Sequence, residues 1–415
     1  MTPKLASGSD EIQVVLGTRN FYPIYGGPPT RFLRYAPGLR TRGVHMTVLT
    51  ETISQDALNR TGAVDSLPNP DGRSINEVIE GIPVRRVALQ NSRLKLARFF
   101  RAVAEEALDQ PTRAQVVQLL ELRPSAAPAM WRLRQGGVPT VFTATMLGTF
   151  SDFWLKRRLQ RMHRRLPLGL ADVLVVSSTV MKRGFEELGG HSRIVIIPNG
   201  VDTERFRPPS SPEEKASIRR KLGLDPTSTT LIFVGPISPR KGADAVIEAF
   251  VSIAQRHPQA SLVMAGPRQD LARPELAAFS DRLKRALAQL PRPDQVLFTG
   301  SINNVDEYLR CADGLIFPSR REGMPNVPPE AMASGLPTIL TPFVGLPEEF
   351  GKPGREFILS SWERERLASD ISSLLSSPEK RRSFGEAGRR HVTDALALSR
   401  SLDSYAALYR SLAHE

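Results

Sequence analysis

The feature that most constrains the fold of this 415-residue chain is an alternation of short apolar runs with helical patterns, which occurs twice. The first series opens with the apolar run Ile12–Leu16, then has a loop rich in Gly and Pro, a helical segment and a second apolar run at His45–Leu49. Strand, loop, helix and strand in this order form a βαβ unit, which implies a parallel sheet. Further strands are predicted at Val84–Val87, Ala114–Val117, Val138–Phe142 and Val173–Val176.

A second series of the same kind follows the polar, Pro-rich stretch Pro208–Pro226. Two such series predict an α/β chain of two Rossmann-like, doubly wound domains that face each other across a cleft, with ligands at the carboxyl ends of the strands. We expect the first domain in residues 1–200 and the second in residues 201–391. In the second series a helix is predicted over Ala243–Gln255, and strands at Leu231–Val234, Ser261–Ala265, Val296–Phe298 and Gly314–Phe317.

The composition narrows the classes of ligand. Fifty-six Lys and Arg against 43 Asp and Glu give a formal net charge of +13, so the surface attracts anions such as phosphates, nucleic acid or acidic lipid headgroups. Nucleic-acid binding is not predicted, because no base-stacking or helix-turn-helix pattern accompanies the charge. The single cysteine, Cys311, cannot form an internal disulfide or a Cys-based zinc site, and we expect it in the core. The six histidines do not cluster, so no metal site is predicted.

The segment Ser319–Ile339, SRREGMPNVPPEAMASGLPTI, has the sequence pattern of a ligand site. It follows an apolar strand that ends at Phe317, and its loop leads into a helical run that Glu330 opens and Gly335 stops. Free backbone amides ahead of a helix N-terminus suit phosphate. The segment therefore predicts a site for an anionic ligand.

Two carboxylates in this segment, Glu322 and Glu330, stand eight positions apart. If the whole interval were helical they would lie ~12 Å apart along the axis, which is too far for an acid/base pair across one glycosidic bond. They should therefore serve different parts of one extended ligand. The alternative is that Glu322 is a solvated loop residue and Glu330 a first-turn carboxylate that complements the helix dipole.

The segment resembles the donor-binding signature of the retaining glycosyltransferases of the GT-B fold, family 4, whose members carry E-x7-E in such a setting. The resemblance covers most of the chain and implies transfer from a nucleotide diphosphate sugar to a sugar or lipid-linked acceptor on the N-terminal domain, with no cofactor and no metal. It also implies that the C-terminal helical pattern, residues 392–415, crosses back to the first domain. The other segments that carry the resemblance are VVSSTVMKRGFEELG, IVIIPNGVDTERFRP, VGPISPRKGADAVIEAF, LVMAGP and VLFTGSINNVDEYLRCADGLIFPS.

The resemblance also implies roles for individual residues. Glu322 would contact the donor sugar near the reacting centre, Lys241 would neutralise the diphosphate, and Glu330 would bind ribose hydroxyls. The loop at Gly300–Ile302 would carry the nucleobase. The catalytic candidates are Glu322 and Lys241, and the donor-binding candidates are Gly26, Gly27, Gly235, Arg240, Gly300, Ile302, Gly323, Met324, Pro325, Asn326 and Glu330.

The sequence departs from the family pattern at two places. Pro236 stands where members usually have an arginine that pairs with the lysine, and Arg240 either replaces that arginine or is an ordinary surface residue. Members also usually carry T-x-H after an N-terminal strand, where this chain has Thr143, Ala144 and Thr145, so Thr145 and Met146 are the acceptor-side candidates. Two functions therefore stay open: the transferase, and a degenerate member that binds a nucleotide or acts as a partner subunit.

Two features bear on the compartment. The N-terminus lacks the apolar run of a secretory signal and no window is long enough to span a membrane, so the cytoplasm is expected. The segment Phe153–Leu166, FWLKRRLQRMHRRL, has apolar residues at helical spacing with basic residues between them, and Arg93–Arg101 is a weaker copy. Such a helix either lies on an anionic membrane, here the inner face of the cell membrane, or packs on its own domain with its arginines solvated.

Overall fold

The computed structural model describes residues 11–22, 27–53, 74–89, 94–109, 113–121, 123–144, 169, 171–187 and 193–415. The chain divides into two compact units. The first unit comprises Met1–Ile197 with Ser401–Glu415, and the second unit comprises Pro198–Arg400. No helix among the described residues is long and apolar enough to cross a membrane.

The first unit is built on an eight-stranded sheet with the order β3-β4-β2-β1-β5-β6-β7-β8. Its central strands are buried along most of their length, as expected for a parallel sheet covered on both faces. The strands are β1 Ile12–Gly17, β2 Val44–Glu51, β3 Ile75–Ile79, β4 Ile82–Val87, β5 Val116–Leu119, β6 Thr140–Thr143, β7 Val173–Val176 and β8 Arg193–Ile196. Helices α1 Gly27–Arg40, α2 Lys95–Leu108, α3 Ala127–Gln135 and α4 Thr179–Glu187 belong to the same unit.

The predicted parallel sheet has one antiparallel edge, where β3, a strand that the sequence did not predict, pairs with β4. The two strands are joined by a tight turn in which Glu80 and Gly81 have φ of +50° and +78°. Positive φ at both central residues matches the right-handed twist of a hairpin, so this turn directs the chain back along its own strand.

The second unit is built on a six-stranded, fully parallel sheet with the order β11-β10-β9-β12-β13-β14. Its strands are β9 Thr229–Val234, β10 Ala260–Ala265, β11 Val296–Gly300, β12 Gly314–Phe317, β13 Thr338–Leu340 and β14 Ile358–Leu359. Its helices are α5 Pro212–Lys221, α6 Ala243–Ala254, α7 Gln269–Ala272, α8 Ala277–Leu287, α9 Val305–Cys311, α10 Val327–Ala333, α11 Arg364–Ser376 and α12 Pro378–Ala395. Cys311 is fully buried and burial raises the pKa of its thiol to about 11, which confirms it as a core residue.

The C-terminal helical pattern is two helices rather than the single one expected over residues 392–415. Helix α12 ends at Ala395 and α13, Leu398–His414, begins three residues later. The break is held by Val201, whose N–H donates to the Leu396 carbonyl at 2.8 Å and whose carbonyl accepts from the Leu398 N–H at 2.7 Å. The backbone there pairs as an extended segment, so it cannot remain helical.

Helix α13 packs within the first unit through aromatic residues. The ring centroid of Tyr405 lies 5.4 Å from that of Phe32 and 6.0 Å from that of Tyr35, both on α1. The hydroxyl of Tyr409 donates to Oε1 of Gln118 on β5 at 3.0 Å. These contacts fix the C-terminal residues of the chain to this sheet.

Each sheet has one topological switch point, where the chain reverses the direction in which it adds strands. In the second unit β9 lies between β10 and β12, and in the first unit β1 lies between β2 and β5. The loops that leave two such neighbouring strands turn to opposite faces and open a crevice at their carboxyl ends, which is where ligands bind in open α/β sheets.

Candidate functional site

The switch point of the second unit brings Lys241 and Glu322 into contact. Lys241 follows β9, Glu322 follows β12, and the Lys241 Nζ lies 2.6 Å from the Glu322 Oε1, with each side chain only 13% exposed. The same oxygen accepts from Ser319 Oγ at 2.5 Å and from Arg240 Nη1 at 3.1 Å. The Lys241 ammonium also lies 5.3 Å from the centroid of the Phe317 ring. One carboxylate oxygen therefore holds two cations at the mouth of the crevice.

Burial is the main influence on the pKa of Lys241. It lowers the pKa of the ammonium from the ordinary value of 10.5, the neighbouring Glu322 carboxylate raises it, and the Arg240 guanidinium lowers it again. The net direction is downward because desolvation penalises the charged form more than the single carboxylate compensates. A second anion beside Lys241 would therefore be strongly attracted.

The loop after β9 packs closely on the loop after β12 because Gly242 has no side chain. Its φ is +68°, and a Cβ there would lie 2.2 Å from the carbonyl oxygen of Pro318. The residue caps the N-terminus of α6, immediately after Lys241. Gly242 thus sets the distance between the loops that carry Lys241 and Glu322.

We expect Gly242→Ala to reduce the free energy of unfolding by roughly 2–4 kcal/mol, since the left-handed strain and the backbone clash act together. Gly223 has the same φ, +70°, with nothing within 4 Å of an added Cβ, so Gly223→Ala is the matched control and should cost only about 1 kcal/mol. Urea unfolding of both variants measures the difference. Equal losses in the two variants would contradict the close approach at Gly242.

The loop from Gly323 to Asn326 is held by a residue that was not among the sequence candidates. Asn199 donates from Nδ2 to the Met324 carbonyl and to Oδ1 of Asn326, both at 2.9 Å. Asn326 precedes α10, and its carbonyl accepts from the Glu330 N–H at 3.0 Å. Asn199 lies in the PNG of the quoted segment IVIIPNGVDTERFRP, which was the available signal.

Glu322 and Glu330 lie on different elements, as the interval between them requires. Glu322 is in the loop and Glu330 is in the first turn of α10, where its side chain is buried. The solvated alternative for Glu322 does not hold, because three donors surround one of its oxygens.

The ends of β9, β10 and β11 are tied together beside this pair. The Gly235 N–H donates to the Ala265 carbonyl at 2.8 Å, and the Gly266 N–H donates to the Gly300 carbonyl at 2.9 Å. A Cβ at Gly266 would lie 2.1 Å from the Gly235 carbonyl oxygen, so this glycine is required for the close approach. Ile302 is partly buried and packs against the core just beyond. The structure therefore brings Gly235 and Gly300 to the same edge of the sheet as Lys241.

The remaining candidates are placed as follows. Gly27 is the first residue of α1 in the first unit. Arg240 is half exposed and also donates to the carbonyl of Arg321 at 3.1 Å, so it belongs to the Glu322 cluster rather than to open surface. No group of three or more His, Cys, Asp or Glu that could hold a metal ion occurs within the described ranges. Gly26, Thr145, Met146 and the segment Phe153–Leu166 lie outside the described residues.

Comparison with known proteins gives matches to both units. A family model described as glycosyl transferases group 1 matches residues 214–391, and one described as a glycosyl transferase 4-like domain matches residues 26–200. The chain has 29% identity over 272 residues to a D-inositol 3-phosphate glycosyltransferase of Segniliparus rotundus. The aligned region covers 62% of this chain and 57% of that relative.

Two further matches extend the comparison. Identity is 29% over 231 residues to a GDP-mannose-dependent monoacylated alpha-(1-6)-phosphatidylinositol monomannoside mannosyltransferase of Corynebacterium glutamicum, covering 53% of this chain and 57% of the relative. The structure of HepE of Anabaena in complex with UDP-glucose superposes with a TM-score of 0.71 and 18% identity, over 97% of this chain and 100% of that one. The chain thus spans little more than half the length of these two curated relatives, and the structural match concerns the fold.

Proposed function

This chain belongs to the glycosyltransferases of the GT-B fold, and we propose that it moves a sugar from a nucleotide diphosphate sugar to a hydroxyl-bearing acceptor. The predicted family and the predicted pair of Rossmann-like sheets are confirmed. The observation that carries the proposal is the Lys241–Glu322 pair at the switch point of the second unit. A buried cation at the carboxyl edge of a parallel sheet is suited to a diphosphate.

Lys241 would act on the leaving group. A departing nucleotide diphosphate develops negative charge, and a fixed ammonium next to it stabilises that charge in the transition state. The ammonium is paired with Glu322 at 2.6 Å, so the site holds a cation in a fixed position. The backbone from Gly323 to Asn326, held by Asn199, would contribute oriented amides on the other side of the diphosphate.

Glu322 would act on the sugar. All the contacts of its carboxylate within the described part of the chain go to Oε1. The second oxygen, Oε2, can therefore accept a hydrogen bond from a sugar hydroxyl while Oε1 remains engaged. Glu330, in the first turn of α10, would bind the ribose hydroxyls. The two carboxylates would then hold opposite ends of one donor.

We propose retention at the anomeric carbon by front-face attack. The acceptor oxygen forms the new glycosidic bond, the bond to the diphosphate breaks, and the leaving phosphate oxygen takes the proton of the acceptor hydroxyl. Lys241 supplies positive charge at the diphosphate, so transfer should proceed in the presence of EDTA without loss of rate. The anomeric configuration of the product by NMR tests retention, and a rate that EDTA abolishes would overturn metal independence.

The donor is tested by thermal shift with UDP-, GDP- and ADP-sugars followed by assay of sugar release. HepE was solved with UDP-glucose and the Corynebacterium relative is described as GDP-mannose-dependent, so both bases belong in the screen. A donor that binds the folded state stabilises it by about 2.7 kcal/mol at a concentration of 100 Kd, which raises Tm. Stabilisation together with turnover supports the proposal, and the lack of stabilisation by any nucleotide sugar would overturn it.

A second candidate is a degenerate member that binds the nucleotide without transfer. Pro236 favours it, since the second cation usual at that position is missing. The position of Arg240 against Glu322 opposes it, because Arg240 brings a second positive charge to the same place. Nucleotide binding with no hydrolysis and no transfer from any donor would favour this candidate.

The pH dependence of nucleotide binding should report on Lys241. The charged ammonium binds the diphosphate, so affinity is present below its pKa and is lost as pH rises through it. Because burial lowers this pKa, the loss should begin at a lower pH than for an ordinary lysine. In Glu322→Gln the carboxylate that raises the pKa is gone, and the loss should move to lower pH still.

Calorimetric titration with UDP from neutral pH to about pH 10 measures this shift. Wild type and variant bind the same nucleotide, so any protonation change of its uracil ring affects both proteins equally and cancels in the comparison. An identical pH profile in both proteins would contradict the coupling between Lys241 and Glu322.

The location is also a proposal. We propose a cytoplasmic protein that attaches peripherally to an anionic membrane through Phe153–Leu166, on the strength of the basic and apolar alternation in that segment. Co-sedimentation with liposomes that contain or lack acidic lipid tests it. Binding that does not depend on acidic lipid would contradict the proposed attachment to an anionic membrane.

A further inference from the structure

The switch point of the first unit carries its own group of charged side chains. Arg19 stands two residues beyond the end of β1, Glu51 is the last residue of β2, Lys95 is the first residue of α2, and Glu121 stands two residues beyond the end of β5. Four separate segments thus place an ionisable group at the carboxyl edge of one sheet, at the position where open α/β sheets bind ligands.

Three of these groups are in direct contact. Arg19 Nε lies 2.5 Å from Glu51 Oε1, and Lys95 Nζ lies 2.8 Å from Glu51 Oε2. Glu51 is nearly buried, with a side chain 10% exposed, whereas the side chains of Arg19 and Lys95 are 32% and 31% exposed. The carboxylate therefore anchors two cations that still present donors outward.

The backbone of Arg19 is fixed as firmly as its side chain. Its carbonyl accepts from Thr50 Oγ1 at 3.1 Å and from the Glu51 N–H at 3.4 Å. Burial raises the pKa of Glu121, while Arg19 and Arg123 act to lower it. Donors and acceptors thus stand side by side on a preorganised edge, which reduces the entropy lost on binding.

Stability alone gives a weak reason for this arrangement. Ion pairs that stay partly exposed contribute only about 0–1 kcal/mol, because water and salt screen them. A ligand-binding role accounts better for cations held at a strand-end crevice.

The charges also indicate the chemistry of the ligand. Arg19 and Lys95 are balanced by Glu51 and Glu121, so an anion arriving here would meet two carboxylates as well as two cations. A neutral polyhydroxylated ring suits the group better, since each of its hydroxyls can accept from a cation and donate to a carboxylate.

We infer that Arg19, Lys95 and Glu121 form a polyol site for the acceptor, a sugar or cyclitol ring, with Glu51 as the residue that positions the two cations. The inference rests on the proposed transferase function and adds to it the class of acceptor and the residues that would hold it. Arg19 and Lys95 would donate to ring hydroxyls, and Glu121 would accept from one.

The test uses the full chain with methyl α-D-glucopyranoside and myo-inositol as probes, observed by saturation-transfer NMR at millimolar concentration. At least one polyol should bind wild type, and its affinity should fall by at least about tenfold in Arg19→Met, because a hydrogen bond to a charged group is lost. Lys95→Met gives the same comparison if Arg19→Met fails to fold. Arg101→Met, on the same unit with a side chain 75% exposed, should leave binding unchanged.

Affinity for UDP separates this inference from the proposed function. UDP should bind wild type and all three variants equally, since the altered residues are not among the donor-binding candidates and the Lys241–Glu322 pair is in the second unit. Loss of polyol binding with UDP binding intact supports the site. The site would be contradicted if the polyols bound all variants alike, bound none of the proteins, or were displaced by inorganic phosphate. Failure of wild type to bind UDP would instead contradict the donor site.

Discussion

Replacing Lys241 by Met is expected to lower the turnover of sugar transfer by about 10²- to 10³-fold, the usual cost of removing one preorganised group that stabilises charge in a transition state. The Lys241 ammonium is nearly buried and lies 2.6 Å from Glu322, so its charge is held in a fixed position at the site proposed for the diphosphate. Methionine is an unbranched side chain that keeps most of the aliphatic length of lysine, so the change removes charge more than packing. Steady-state kinetics with the donor found by the screen measures the loss.

Lys221→Met is the matched control, because Lys221 is a lysine of the same unit that is 64% exposed and paired with Glu307. Its turnover should equal that of wild type. Arg240→Met should fall between the two, since its guanidinium is half exposed and shares the same carboxylate oxygen. A Lys241→Met enzyme that keeps more than a third of wild-type turnover would contradict the role of this residue.

Replacing Arg219 by Met is expected to lower the free energy of unfolding by about 3–5 kcal/mol, as in other cases where one partner of a buried ion pair is removed. Arg219 is nearly fully buried and lies 2.6 Å from Asp313. It also donates to the carbonyls of Cys311, Pro226 and Ser228 at 2.9, 3.0 and 2.7 Å. The substitution removes one of the two cations paired with Asp313, the other being Lys215 at 2.6 Å, and leaves three carbonyls short of a donor.

Arg220→Met is the matched control, since Arg220 is the next residue of the same helix and is exposed. Its stability should change by less than about 0.5 kcal/mol. Chemical unfolding of both variants gives the comparison, and a loss below about 1 kcal/mol in Arg219→Met would show that the buried pair contributes little. Arg219 anchors the turn before β9, so this prediction concerns the scaffold of the Lys241 loop rather than its chemistry.

The central strands could be predicted from the sequence because buried parallel strands are continuous apolar runs. The runs at Val173–Val176 and Gly314–Phe317 match the strands residue for residue, whereas the run at Ala114–Val117 begins two residues before the start of β5 and ends two residues before its end. Strands β3, β8, β13 and β14 were missed. Strand β3 alternates between exposed and partly buried residues at a sheet edge, and β14 is only two residues long, so neither of these two has a strong local pattern.

The break between α12 and α13 was also missed, for a physical reason. The residues around Ala397 continue a helical pattern, and the break depends on pairing with Val201, which is far away in the sequence. Local periodicity carries no information about such a partner.

For the site, the sequence identified Lys241 and Glu322 separately through their motifs. It could not place them in contact, because the contact depends on β9 and β12 being neighbours in the sheet. Asn199 and Arg19 were missed for the same reason. Each acts through groups that are distant in sequence, such as Met324 for Asn199 and Glu51 for Arg19.

The most direct test of the account is the release of nucleotide from a panel of UDP-, GDP- and ADP-sugars by wild type and by Lys241→Met, measured with and without acceptor. We predict that wild type releases nucleotide from at least one donor, that acceptor accelerates the release, and that Lys241→Met slows it by about 10²-fold or more. Equal release by the two proteins, or no release by a wild type that binds the nucleotide, would contradict the claim that Lys241 and Glu322 form the donor site of a working glycosyltransferase.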